Sequence, residues 1–316
     1  MPSELRPGRR LGSRVGDVTL FAVTGACGLA AVALVVAIAY KVVDGSTLAF
    51  STFGLQFLVE QVWDPVKGEF GALSFIYGTA VTSLIALLIA TPLSIGIALY
   101  LTELAPRFLR DTIGALVEML AAIPSVILGL WGILVLGPFM KDHLEPFLQS
   151  FLGWLPAFSD TPNAQGILPA AVVLTIMTVP IVASVSRELF QSVPPELKDG
   201  ALALGATRWE MVRGVTLHYT RPGLAAAVIL GLGRALGEAI AVTQVIGGQV
   251  GIPRSLFGLG DTMASRIAAQ YQGAVSNVQV SSLFYLAAIL LAFSLVVNVI
   301  AQLIVRRFEF QHTGGS

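Results

Sequence analysis

Six stretches of about twenty or more predominantly apolar residues divide this chain, and they constrain its fold more than any other feature. They cover residues 18–43, 73–101, 113–138, 167–189, 222–248 and 281–305. A helix needs about 20 such residues to cross the hydrocarbon of a bilayer. In hydrocarbon each backbone N–H and C=O must be satisfied within the segment, which leaves helices as the conformation for runs of this length. Only 12% of the 316 residues are charged, against 55% hydrophobic, about half the charged share of a soluble domain. The sequence predicts an all-α membrane protein with six transmembrane helices.

The first apolar run follows Arg6, Arg9, Arg10 and Arg14, as in a secretory leader. It exceeds the core of about 7–15 residues typical of a leader and reads as an uncleaved anchor. Lysine and arginine placement orients the rest. Arg6, Arg9, Arg10, Arg14, Arg107, Arg110, Arg187, Lys198, Arg208, Arg213, Arg221, Arg306 and Arg307 fall on one side, thirteen of nineteen. Lys41, Lys67, Lys141, Arg254 and Arg266 fall on the other, and Arg234 lies within a span. The positive-inside rule then puts both termini in the cytoplasm. The expected organisation is a cytoplasmic tail (1–17), a single transmembrane domain (18–306) and a second cytoplasmic tail (307–316).

The loops 44–72, 139–166 and 249–280 are expected outside. In the first, the amphipathic stretch Phe50 to Trp63 is expected to lie on the membrane surface. The second, with Pro146, Trp154, Pro156 and Pro162, is expected to fold as a small cap. The third, rich in glycine, reads as an ordered external loop or a re-entrant piece. Cys27, the one cysteine, excludes an intrachain disulfide and is expected to be a small packing residue.

The polar loop 194–222 is too structured for a mere connection. Ala201, Leu202 and Leu204 mark a first short helix, and Gly205 stands where a helix C-terminus takes a left-handed residue. Thr207 and Glu210 form a T-x-x-E capping box that starts a second helix. Trp209 and Val212 share a side of it, with Arg208 and Arg213 nearby. An aromatic-and-arginine knob on a membrane protein suits docking of a soluble partner.

Arg234 and Glu238 stand four residues apart inside the fifth span, where an ionisable pair is costly and normally faces protein or a water-filled path. The spacing allows an ion pair on one helix face. Two readings stay open: a structural pair that fixes packing, or a substrate path in which the guanidinium fork grips an oxyanion such as phosphate or sulfate. Pro124 and Ser125 interrupt the third span and suit a gate or a static kink. Glu118 reads as an interfacial or packing carboxylate. No G-x-x-x-x-G-K-[ST] is present, so the chain has no P-loop for ATP. His143, His218 and His312 are scattered and form no metal pair. Gly231 to Gly237 mimics a dinucleotide fingerprint with one residue too many, and its small residues better serve helix packing.

The 194–222 loop resembles the EAA coupling motif of ABC importer permeases. The motif stands here as Asp199-Gly200-Ala201, then Gly205, then Val215-Thr216-Leu217-His218. Asp and Gly replace its Glu and Ala, and His218 replaces its last proline. Phe75-Ile76-Tyr77-Gly78-Thr79, Ala122 to Gly132 and Gly233-Arg234-Ala235-Leu236-Gly237-Glu238 resemble the phosphate-specific branch. The long 139–166 loop resembles the PstC-like member of that branch's two permeases. The resemblance implies a type I ABC importer permease in the cytoplasmic membrane, paired with a second homologous permease. Two cytoplasmic ATPase subunits that use ATP and Mg would grip the coupling loops at Asp199, Ala201, Gly205, Thr207, Arg208, Trp209 and Glu210. An external phosphate-binding protein would deliver phosphate to a path containing Arg234 and Glu238. A glutamate beside the arginine would accept the proton that phosphate carries and repel sulfate. The chain itself would bind no cofactor, no metal and no nucleic acid and would catalyse no reaction. A sulfate or molybdate permease, and a membrane scaffold or phosphate-signalling component, are the alternative readings. A DNA-binding helix-turn-helix at 196–213 is disfavoured by Glu196, Asp199 and Glu210 and by membrane tethers at both ends, and no Ser/His or paired-aspartate set suggests an intramembrane hydrolase.

Overall fold

The computed structural model describes the backbone of residues 11–310 and the side chains of 16–106 and 108–305. The predicted tails 1–17 and 307–316 therefore lie largely outside the described residues. Among the described residues the ordered elements are helices, one small antiparallel hairpin, which pairs Trp63 with Phe70 and Asp64 with Glu69, and one isolated bridge. The long helices are α1 (Leu11–Phe53), α2 (Leu73–Leu99), α7 (Ile167–Gln191), α10 (Leu217–Gly237) and α13 (Asn277–Phe310). Among the described residues, five segments are long and apolar enough to cross a membrane: Gly16–Leu58, Leu73–Leu104, Ser125–Leu152, Ile167–Gln191 and Asn277–Val305.

Two predicted spans are revised. The third is not continuous over 113–138: α3 (Arg107–Ala121) ends ahead of Pro124, and a new helix starts at Ser125. Proline disfavours helical geometry at the residue before it and lacks an N–H of its own, but its fixed φ suits a helix start. Pro124 accordingly sits at an N-cap with ψ of 138°. From Ser125 the chain stays helical through α4 (Ser125–Trp131), α5 (Gly137–Phe139) and α6 (Glu145–Leu152), joined by π-helical turns at Gly132–Leu136 and Met140–Leu144. Much of the predicted 139–166 loop is thus helix. The fifth predicted span, 222–248, breaks after Gly237, and α11 (Ile240–Val245) resumes two residues beyond Glu238.

Apolar attraction between helices is weak in lipid, so close packing falls to small residues. The central helix is α7, with 78% of its most apolar stretch buried, whereas the same measure for α1 is 0%. Cys27, on α1, is exposed rather than packed. Pro180 interrupts the hydrogen-bond ladder of α7, and Ser94 of α2 donates to the adjacent Val179 carbonyl at 3.1 Å. Gly231 of α10 lets Val182 and Thr178 of α7 approach within 3 Å of where a Cβ would stand.

The predicted surface stretch Phe50 to Trp63 is divided: Phe50, Leu55, Val59 and Val62 stay exposed, and its other aromatics enter the protein. Phe57 and Trp63 are buried with Phe70, Phe75 and Tyr285, and Trp63 Nε1 donates to Gln270 Oε1 at 2.7 Å. The glycine-rich 249–280 region is ordered. Gly247 bridges Gly260, and Thr262 caps α12 (Met263–Gln270). Three residues of the Phe75–Thr79 segment clamp it. Phe75 lies 4.9 Å beneath the Arg266 guanidinium, which pairs with Asp261 at 2.7 Å. The Thr79 hydroxyl accepts from Met263 N at 3.0 Å. Gly78 presents no side chain to the Asp261 carbonyl packed on it. Gly78→Ala is expected to drive a methyl into that carbonyl, a loss of about 1–3 kcal/mol. The readout is the thermal unfolding midpoint in detergent, and an unchanged midpoint would show that the 261–266 segment moves aside freely.

Candidate functional site

Two groups of residues carry the candidate chemistry, at opposite ends of α10. The first is the helix pair α8 (Pro195–Ala203) and α9 (Arg208–Met211). Both predicted end signals are present. Gly205 has φ of +89°, a conformation in which a side chain is strained. Its N–H donates to Leu202 O at 3.0 Å and that of Ala206 to Ala201 O at 3.1 Å, which closes the last turn of α8 as a Schellman motif. One residue later the Thr207 side chain accepts from Glu210 N, and Thr207 N donates to Glu210 Oε2 at 2.8 Å. This reciprocal cap starts α9.

Asp199, Gly205, Thr207, Arg208, Trp209 and Glu210 are exposed, and Ala201 is half-buried. Trp209 keeps 66% of its surface and Leu204 92%. Val212 does not join that face. It is buried with Met211 at the start of the π-helical turn Val212–Thr216 that leads into α10, because the wider turn rotates it toward the body. Hydrogen bonds from the Thr207 backbone N–H and then its hydroxyl hold the Glu210 carboxyl below its ordinary value. A depressed carboxyl contributes above the unfolded value and stops doing so as pH falls through the folded one. The α9 start should therefore persist below pH 4.5 and open only on further acidification. Carboxyl titration by NMR should give Glu210 a midpoint under that value, rising toward it in Thr207→Ala.

The second group lies about 25 Å from the start of α10 by helical rise. Arg234 occupies its last turn, and Nη2 stands 3.1 Å from Glu238 Oε2. The two do not share a continuous helix face as the spacing suggested, because Glu238 has left helical geometry with ψ of 116°. The Gly237-Glu238 step ends the ladder, and Glu238 Oε1 accepts from Ala241 N at 3.3 Å at the start of α11. The buried carboxylate thus bridges a cation and a broken helix, which lessens the cost of its burial. The Glu238 side chain is 6% exposed and that of Arg234 46%. A guanidinium carries five donors, so this cation can take an oxyanion while paired.

Pro124 and Ser125 belong with this group through their helix. Gly129 of α4 admits the backbone of Ala241 at 2.8 Å from its absent Cβ, with Gln244 at 3.0 Å. The two interrupted helices therefore cross within a few residues of both breaks. Glu118 pairs with Arg187 at 3.5 Å and is itself exposed. Sequence reasoning missed the partner of Lys198. Its ammonium lies 2.6 Å from Glu103, a contact across 95 residues with no local pattern. Among the described residues, no cluster of three or more His, Cys, Asp or Glu is arranged to hold a metal.

Residues 90–310 match the family described as binding-protein-dependent transport system inner membrane component. Two curated relatives, each called phosphate transport system permease protein PstC, resemble nearly the whole chain. That of Haemophilus influenzae is 45% identical over 280 residues, 87% of this chain and 89% of its own. That of Mesorhizobium japonicum is 42% identical over 297 residues, 93% and 91% of the two chains. Among solved structures, a chain of a bacterial alginate ABC transporter in complex with alginate pentasaccharide-bound periplasmic protein superposes with a TM-score of 0.59. It is 20% identical and covers 93% of this chain and 97% of that one, which speaks to the fold alone. By family match and by overall identity, the chain belongs to the inner membrane components of binding-protein-dependent transport systems, on the PstC branch.

Proposed function

We propose that this chain is a transmembrane permease subunit of an ATP-driven importer that moves inorganic phosphate across the cytoplasmic membrane into the cell. Its relatives on the PstC branch carry that substrate in their names. One observation in the chain carries the reading: Arg234 stands half-exposed beside a buried carboxylate at a helix break. A broken ladder at membrane depth is tolerated where it is buried in protein or lines a water-filled cavity, and a cation there marks a substrate path.

The chemistry follows from the two side chains. Arg234 offers planar N–H donors to phosphate oxygens. Glu238, an acceptor only when ionised, takes the hydroxyl proton that phosphate retains near neutral pH. Sulfate brings only acceptors, so the same carboxylate repels it. Pro124 and Ser125 serve as the moving edge of the path, since the helix starting there crosses α11 beside the Glu238 break.

In this reading the chain is a single permease domain (18–306) that crosses the membrane six times with both termini cytoplasmic, α10 and α11 together making the broken fifth crossing. It pairs with a second, homologous permease, for which α1 has an open flank along its first half. The exposed face of α8 and α9, with Asp199, Ala201, Gly205, Thr207, Arg208, Trp209 and Glu210, meets one of two cytoplasmic ATPase subunits. ATP and Mg are bound there and not by this chain. An external phosphate-binding protein meets the opposite end, at the 44–72, 139–166 and 249–280 regions.

The test is labelled phosphate uptake by cells that lack their own high-affinity importer and receive the full complex. Arg234→Gln is expected to lower uptake about ten- to a hundredfold, the value of one charge-assisted hydrogen bond of about 1.5–3 kcal/mol, with assembly unchanged. Excess sulfate should leave wild-type uptake unaltered. Uptake indifferent to Arg234→Gln would reduce the pair to packing, and competition by sulfate would move the chain to another oxyanion.

A further inference from the structure

We propose that Lys198 and Glu103 are positioning residues that carry motion of the α8–α9 pair into α2. This inference rests on the docking role of α8–α9 given above. It concerns a residue pair outside the docking face and outside the Arg234 path.

Lys198 projects from α8 away from the exposed face, next to Asp199. Its ammonium lies 2.6 Å from Glu103 Oε1 and donates to the Phe190 carbonyl at 3.2 Å. Glu103 belongs to the π-helical turn Tyr100–Leu104 that closes α2, and Phe190 is near the end of α7. One side chain thus ties α8 to both central helices. Both partners are shielded, with 19% and 11% of their side chains exposed, so salt screens the pair less than a surface ion pair.

The surroundings make this contact the stiff one. On the body side, Ala98, Phe190 and Leu224 pack into a buried cluster that joins α2, α7 and α10. On the α8 side packing is loose, since α8 has no buried residue. An open cleft of about 540 Å³ lies between the pair and the end of α2, lined by apolar residues such as Leu99, Leu104 and Leu202 and by four charged ones, Asp199 and Arg208 besides Glu103 and Lys198. Apolar contacts across an open cleft transmit little displacement, whereas a short charge-assisted bond holds distance and direction. The chain itself links α8 to α7 and α9 to α10, but Lys198 and Glu103 are 95 residues apart in sequence. For α2 the side-chain bond is a direct connection. The π turn beneath Glu103, a distortion common at functional sites, gives that end of α2 a place to yield.

The experiment uses the full complex in proteoliposomes with phosphate-loaded binding protein, and reads phosphate moved per ATP hydrolysed. Lys198→Met should lower that ratio at least about tenfold, within the usual range for coupling between sites, while the subunits still copurify and basal hydrolysis changes less than about twofold. Lys198→Arg, which keeps both bonds, should restore it. Because Lys198→Met leaves Glu103 buried and unpaired, which destabilises, the double variant Lys198→Met with Glu103→Leu serves as the folding control. It should assemble as wild type does and remain uncoupled. A wild-type ratio in the double variant, or a ratio that holds while both rates fall together with assembly, would overturn the link. Failure of the wild-type complex to move phosphate with stimulated hydrolysis would instead overturn the permease reading itself.

Discussion

The arrangement of this protein depends on the approach of α4 to α11 at Gly129 and Ala241. Helices in a bilayer gain little from apolar contact as such, so the distance between axes is set by the smallest side chains available. A Cβ at Gly129 would stand 2.8 Å from the Ala241 backbone, and the two helices could not cross there. That crossing keeps the break at Pro124 and the break at Glu238 in one neighbourhood. Each break frees backbone groups that hydrocarbon would not tolerate. Glu238 answers one of them by accepting from Ala241 and in the same stroke anchors Arg234. The charged pair is therefore both what the broken helix needs and what gives it chemistry.

Much of this was legible in the sequence because the signals are local. The turn at Gly205 and the box at Thr207 and Glu210 each span a few residues, and the structure realises both, down to the left-handed glycine. Apolar runs of membrane length also identified the helical body. The two misplaced spans share a cause. Hydropathy sees composition and not backbone continuity, so Gly237-Glu238 inside 222–248 read as part of an unbroken helix, and Pro124 inside 113–138 read as a kink within one span instead of the start of a new helix. Proline before a helix and proline within one look alike by composition.

Contacts between distant segments were not legible. Nothing near Lys198 announces Glu103, and nothing near Phe75 announces Arg266, which lies over its ring. The inward half of the amphipathic stretch after Phe50 was hidden for a related reason. Nothing in its local pattern says that Phe57 and Trp63 would join an aromatic cluster with Phe70, Phe75 and Tyr285 while Leu55 and Val59 stay exposed. The resemblance of Phe75 to Thr79 to one transporter branch gains a physical meaning only in three dimensions, where that segment clamps the 261–266 region.

The closed junction between α8 and α9 has a mechanical consequence. A short helix usually depends on its neighbours for the carbonyls and N–H groups left over at its termini. Here Ala206, Gly205 and Thr207 meet much of that demand within the pair. Lifting the two helices off the body would break side-chain contacts but leave these backbone bonds intact. The pair is thus a prefabricated rocker: it keeps its shape under load, and displacement appears at its attachments instead of being absorbed by unravelling.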